Sequence, residues 1–226
     1  MLGAEDLSII GLTLRIATIS TLCILPFGIA AAWFLSRYRG LGKGMIETFL
    51  SLPLVLPPTA VGLVLLELLG RGGPLGRLFD DLGIDVAFTW RAAALASGIM
   101  SFPLLVKPLR AAFEEIDPRL LGVARTLGRG PVYVFFGVAL PIAWRGLFTG
   151  ALMAFSRALG EFGATVLVAG NIPGRTQTLA LAIFQRSEIG HDHAAMRLAL
   201  ITVLIAFVVI WLTEAATSHQ TGRLRQ

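Results

Sequence analysis

Residues 9–35 carry one charged side chain, Arg15, in an otherwise continuous apolar run. About 18 such residues suffice to cross the hydrocarbon core of a bilayer as a helix. Inside that core every backbone donor and acceptor must find a partner without water, so only helices and closed barrels cross it. The apolar residues here are continuous, whereas barrel strands would alternate. This one run therefore points to a membrane and to helices within it. The rest of the chain agrees: charged residues are 15% and hydrophobic ones 55% of 226, against about a quarter charged in a globular chain. The expected fold class is an all-α polytopic membrane protein with about five transmembrane helices.

The further spans are expected at about 46–69, 92–109, 134–158 and 197–217, with a second helical piece past Gly160 reaching Val168. Pro53, Pro57 and Pro58 fall in the second span and remove backbone donors there. They imply either a packing kink or a bend that lines a path. Pro103 and Pro108 are expected to interrupt the third span. Residues 70–91 form an external loop with a glycine-rich turn (Gly70, Gly72, Gly73, Pro74) and a short surface helix. Phe88 and Trp90 suit its membrane interface. The segment TLALAIFQ, residues 178–185, is too short to cross and is expected to pack as an external or re-entrant piece.

Basic residues cluster at Arg37, Arg39 and Lys43, at Lys107 and Arg110, and at Arg223 and Arg225. The positive-inside rule makes these segments cytoplasmic. The N-terminus is then outside, the C-terminus is cytoplasmic, and five spans have the parity this requires. The net charge of +5 thus belongs to loops facing lipid headgroups and carries no nucleic-acid signal. Glu5 and Asp6 stand where a cleavable leader would be basic, so none is expected. Cys23, the lone cysteine, excludes an intrachain disulfide.

No internal repeat is visible, as a complete secondary transporter would be expected to show. Five helices enclose little, whereas a two-fold dimer would give ten with a pathway on its axis. The nucleotide-binding pattern GxxxxGK[ST] and the metal motif HExxH are both missing. His191 and His193 flank Asp192 but do not share a helix face, so no metal site is expected. Arg157 and Glu161, four apart, would share a face of a continuous helix. They read either as an ion pair near the outer surface or, with Gly160, Phe162 and Gly163, as a gate near a dimer axis.

The polar stretch 109–141 lies between two spans on the cytoplasmic side. Asp117 can cap a helix whose first residue is Pro118, and Gly128 and Gly130 end it. Leu120, Leu121, Ala124 and Leu127 recur at helical spacing as one apolar face, while Arg119, Arg125 and Arg129 lie on other faces. Such a helix either rests on lipid headgroups or docks in a groove of a partner.

Here the sequence resembles a family. Ala124, Gly128 and the run Val138-Ala139-Leu140-Pro141 have the spacing of the EAA loop of binding-protein-dependent ABC importer permeases. Gly122 and Val123 depart from the glutamate and alanine often found there. SLPLVLPPTAVG, WRAAALASGIMSFPLLVKPLRAAFEEID and SRALGEFGATVLVAGNIPGRTQTL are similar to the permeases of molybdate importers. RALGEFGA and PGRTQTL are also similar to sulfate/thiosulfate permeases, so a sulfate permease is the alternative. A free-standing secondary transporter is a more distant one.

The resemblance implies a type I ABC importer permease fold with its domain over 8–217, a coupling-helix loop over 113–133 and a cytoplasmic tail over 218–226. It further implies a homodimer, two ABC ATPase subunits that bind ATP-Mg, and an external molybdate-binding protein. This chain would then hold no cofactor and perform no covalent chemistry. Asp117, Leu120, Leu121, Ala124, Arg125, Leu127 and Gly128 would form the ATPase docking site. Pro57, Pro58, Arg157, Gly160, Glu161, Phe162 and Gly163 would lie at the pathway, gate or dimer axis.

Overall fold

A computed structural model describes residues 3–218. Its elements are α1 (Ala4–Arg37), α2 (Lys43–Val55), α3 (Pro58–Leu69), α4 (Pro74–Asp81), α5 (Trp90–Glu114), α6 (Pro118–Thr126), α7 (Pro131–Val134), a π-helical turn (Phe135–Ala139), α8 (Leu140–Ile142), α9 (Trp144–Leu159), α10 (Gly163–Val168), α11 (Leu179–Glu188) and α12 (Asp192–Ser218). No strand occurs among the described residues. The expected tail, with Arg223 and Arg225, lies outside them.

α5 is the centre of the bundle. Its apolar window is 67% buried, against 17% for α12, and α1 and α9 pack along it. Small residues allow the close approach, as is usual between membrane helices. Ala92, Ala93, Ala96, Ser97 and Ser101 are buried on α5, and a Cβ added at Gly150 of α9 would meet the Leu105 carbonyl at 2.6 Å. Several hydroxyls within the spans bond to their own helices: Ser101 Oγ donates to the Ser97 carbonyl and Thr21 Oγ1 to that of Ala17, which satisfies them without water.

The expected interruption of the third span at Pro103 and Pro108 does not occur: α5 runs through both. Tight packing on two sides holds its axis where the prolines remove ladder bonds, a situation membrane helices tolerate.

The second span breaks much more sharply than a kink. α2 and α3 meet at 104° around Val55–Pro58. Leu56 is extended, Pro57 has φ −54° and ψ 130°, and Pro58 starts α3 as its first residue. Proline at the first helical position is favourable, and the residue before a proline is pushed out of the α region. The two halves nevertheless run along α5 together. At the start of α2, Glu47 pairs with Arg110 at 2.8 Å, and Lys43 with Glu114 at 3.2 Å, both near the end of α5. Leu65 and Leu69 of α3 pack with Ala92, Ala93 and Ala96 at the beginning of α5. The pair thus reaches from one end of α5 to the other.

The expected fourth span is also broken. Pro131–Ile142 and Trp144–Leu159 meet at 70°. Pro141 has no N–H to donate, and the turn before it widens so that the Leu140 N–H bonds to the Phe135 carbonyl five residues back. Among the described residues three helices are long and apolar enough to cross, or five if each bent pair is one span.

Candidate functional site

Two groups of residues attract attention, at opposite ends of α5. The first is α6 and the turn after it. Asp117 accepts a hydrogen bond from the Arg119 N–H at 2.8 Å and so caps the helix, and Pro118 follows at the first position. At the other end the Gly128 N–H bonds to the Arg125 carbonyl and the Arg129 N–H to that of Ala124. These two bonds form a Schellman motif with Gly128 at the left-handed position, where its φ is +78°. Arg129 then lies over the Tyr133 ring at 4.5 Å.

The single apolar face expected for this helix divides into two. Leu121 and Ala124 are buried and join a cluster with Leu35, Leu109, Phe113, Ile116 and Val134. Leu120 and Leu127 point away, 51% and 75% exposed, and Val123 joins them at 57%. The reason is helical spacing: 121 and 124 share one stripe, while 120, 123 and 127 share the next. One stripe seats the helix on its own chain and the other is left bare. Val123 was missed by the sequence reasoning, although the same 3–4 spacing contains it. Arg125 is exposed beside this second stripe.

The caps lend themselves to a modest test. Asp117→Ala removes the side-chain acceptor at the N-cap and should cost about 1 kcal/mol of local helix stability. Hydrogen exchange of the 119–126 amides should speed up roughly fivefold while amides in α5 stay unchanged.

The second group surrounds the break between α9 and α10. Arg157 and Glu161 do form an ion pair, at 2.7 Å, but they do not share a continuous helix. α9 ends at Leu159, Gly160 is its cap, and Glu161 lies in the break. Glu161 is 2% exposed. Its other oxygen accepts the Ala164 N–H at 2.9 Å, at the start of α10. The far end of α10 is held too: the Phe88 N–H donates to the Val168 carbonyl at 2.9 Å. Phe88 sits at φ +58°, an uncommon conformation for a bulky residue that surrounding structure must impose. A six-residue helix is too short to persist alone, and here it is bonded at both ends.

The breaks in the two bent segments lie side by side. A Cβ on Gly163 would come within 2.7 Å of Pro58, and one on Gly62 within 2.8 Å of the Ala164 backbone. Pro57 precedes Pro58 at the same break, and its carbonyl accepts the Ala60 N–H. Phe162 packs on Phe184 of α11, ring centroids 5.1 Å apart. Pro58, Arg157, Glu161, Phe162 and Gly163 are therefore brought into one region. Gly160 differs: nothing stands near the Cβ it lacks, so its smallness is not spent on a close approach within this chain.

Next to this region the loop after α10 is internally bonded. Thr176 accepts the Ile172 N–H at 3.0 Å, and Asn171 donates to Gln185 at 2.9 Å. Arg186 pairs with Asp6 at 2.7 Å, across 180 residues of sequence. No local pattern could have announced that pair. Among the described residues no cluster of three or more His, Cys, Asp or Glu could hold a metal ion.

Residues 24–225 match the family of binding-protein-dependent transport system inner membrane components. The chain is 44% identical over 205 residues to the molybdenum transport system permease protein ModB of Escherichia coli (strain K12), covering 90% of each. It is 37% identical over 223 residues to the ModB protein of Haemophilus influenzae, covering 98% of this chain and 97% of that one. In structure it is similar to a bacterial alginate ABC transporter solved in complex with its pentasaccharide-bound periplasmic protein. The TM-score is 0.72 at 16% identity, over 94% of this chain and 78% of that one.

Proposed function

Since the chain belongs to the family of binding-protein-dependent transport system inner membrane components, with the type I ABC importer permease fold, we propose that it is the membrane-spanning subunit of an importer for molybdate. The observation that carries this reading is the 44% identity over 90% of both chains to a molybdenum permease. Two copies of the chain form the pathway. ATP hydrolysis takes place in two separate ATPase subunits, because this sequence has no P-loop of its own. An external binding protein delivers the oxyanion. The N-terminus is outside and the C-terminus is in the cytoplasm, as the basic loops require.

In this reading α6 is the peg that enters the ATPase. Its buried stripe (Leu121, Ala124) ties it to the ends of α1 and α5, and its bare stripe (Leu120, Val123, Leu127) is the part left for a groove. A helix fixed to the bundle on one side and to the ATPase on the other passes on movement as a rigid body. The broken pairs α2–α3 and α9–α10, packed break against break, are the elements suited to change angle in response. Arg157 and Glu161 neutralise each other and keep the second break in shape. They are structural parts of a gate and do not ligate the anion, which a carboxylate would repel.

The test is uptake by proteoliposomes holding the complete complex. Labelled molybdate should enter only with internal ATP and external binding protein, and tungstate should compete where sulfate does not. Uptake without the binding protein overturns the importer reading. Equal competition by sulfate moves the assignment to a sulfate permease.

A further inference from the structure

Between α1, α5 and the bent α2–α3 pair lies an open groove of about 1030 Å³, at the top of the range for ligand pockets. The 104° break creates it: α2 turns away from the bundle before α3 returns to it. Its walls come from Phe27 of α1, Pro53 of α2, Leu56 in the break, Val64 of α3, and Leu95 and Phe102 of α5. Arg91 is the one charged residue lining it, beside Trp90 at the same end. Arg15 joins from α1, its guanidinium 4.4 Å from the centre of the Trp90 ring, with that of Arg91 at 5.8 Å on the same ring. Both arginines are exposed, and neither has an ion pair among the described residues.

We propose that one phospholipid seats an acyl chain in this groove, with its phosphate on Arg91 and Arg15, and that an anionic headgroup is preferred. Three observations converge. From Trp90 to Phe102 the groove runs about 18 Å along α5 at 1.5 Å per residue, close to the ~15 Å depth of one leaflet's hydrocarbon. Its charged end lies beside a tryptophan, the residue that favours the membrane interface. Its body offers no polar side chain other than Ser20 and Cys23, so it suits a hydrocarbon chain and no hydrated solute. A second copy of this chain is a poorer occupant. A two-fold contact centred here would set a concave face on a concave face and bring four guanidiniums together. A seated chain would brace the bend between α2 and α3 from its open side. The inference requires only that the chain sits in a bilayer, whatever its substrate.

The experiment uses the full-length chain in nanodiscs that contain phosphatidylglycerol or phosphatidylcholine with a photoreactive group on the acyl chain. After illumination the adducts are mapped by mass spectrometry. Phosphatidylglycerol should label the groove segments 19–27, 49–56 and 60–65 in preference to the outer face of α12. The groove adducts should exceed those of phosphatidylcholine. Arg15→Gln and Arg91→Gln should each lower that excess roughly fivefold, and Val64→Trp, which fills the groove, should abolish the adducts. Equal labelling by the two lipids, an excess unchanged in both arginine variants, or adducts scattered evenly over the exposed helices overturns the proposal. So does chain-to-chain cross-linking through a bifunctional maleimide at Cys23, the only cysteine, in place of lipid adducts.

Discussion

Replacing Gly128 with valine should abolish molybdate uptake by the assembled importer while leaving the chain in the membrane and its bundle folded. Gly128 is left-handed, at φ +78°, where an L-residue pays about 1–2 kcal/mol and a β-branched one more. Space plays no part, since a Cβ there would meet nothing within 4 Å. The strain falls on a nine-residue helix whose end is closed by the Gly128 and Arg129 amide bonds to Arg125 and Ala124. A cost of that size shifts a local equilibrium by roughly five- to thirtyfold. It would free Leu127 and Arg129 from the geometry that the bare stripe needs. Gly128→Asn is the control, because asparagine tolerates the left-handed region. The expected order of uptake is glycine, then asparagine at about half, then valine at less than a tenth. Co-purification of the ATPase should weaken in the same order. If valine matches glycine in both measurements, α6 is not the route by which ATP hydrolysis reaches this chain.

The sequence made some of this visible and hid the rest for physical reasons. The Asp117 cap, Pro118 and the terminating Gly128 are local devices, each acting within a few residues, and they mark α6 from sequence alone. Long apolar runs likewise announce α1 and α12. The prolines were ambiguous, because what a missing donor does depends on neighbours remote in sequence. Pro103 and Pro108 leave α5 intact, clamped between α1 and α9. Pro57 and Pro58, with an open groove on one side, coincide with a turn of 104°. The division of the α6 face has the same origin: periodicity says which residues share a stripe, but only the position of Phe113 and Val134 decides which stripe is covered.

The two broken segments also explain each other. α3 begins with a proline and α10 with a glycine, and the absence of a side chain at Gly62 and Gly163 lets them meet backbone to backbone. Two pairs remote in sequence, Pro58 with Gly163 and Gly62 with Ala164, make this one contact, so each break is shaped against the other. Around this joint the chain holds α10 by two single bonds, from Glu161 at its start and Phe88 at its end. The side chains of α10 add to those bonds: Ala164, Thr165 and Val168 are fully buried, so the helix is packed into the bundle against α3 and α5 as well as tied at its ends.

Glu161→Ala should be the most damaging single substitution at that joint. It removes the acceptor of the Ala164 N–H and leaves the Arg157 guanidinium, 2.7 Å from the lost oxygen, without its partner. Breaking a buried ion pair on one side costs about 3–5 kcal/mol. Arg157 keeps 29% of its side chain exposed, so the lower figure, about 3 kcal/mol, is the expectation. Glu161→Gln retains a carbonyl oxygen for the Ala164 amide and loses only the charge, and should cost about half as much. Arg157→Ala removes the stranded cation, so in Glu161→Ala/Arg157→Ala the second change should restore part of the loss. A double-mutant cycle on denaturant unfolding of the reconstituted chain measures this directly. A coupling energy of about 1–3 kcal/mol is expected for residues in one contact. Additive losses would mean that the two side chains act separately and that the joint is held by the glycine contacts alone. Uptake should follow the same pattern, lowest in Glu161→Ala and partly recovered in the double variant, because what fails is the shape of the break and not a ligand of the anion.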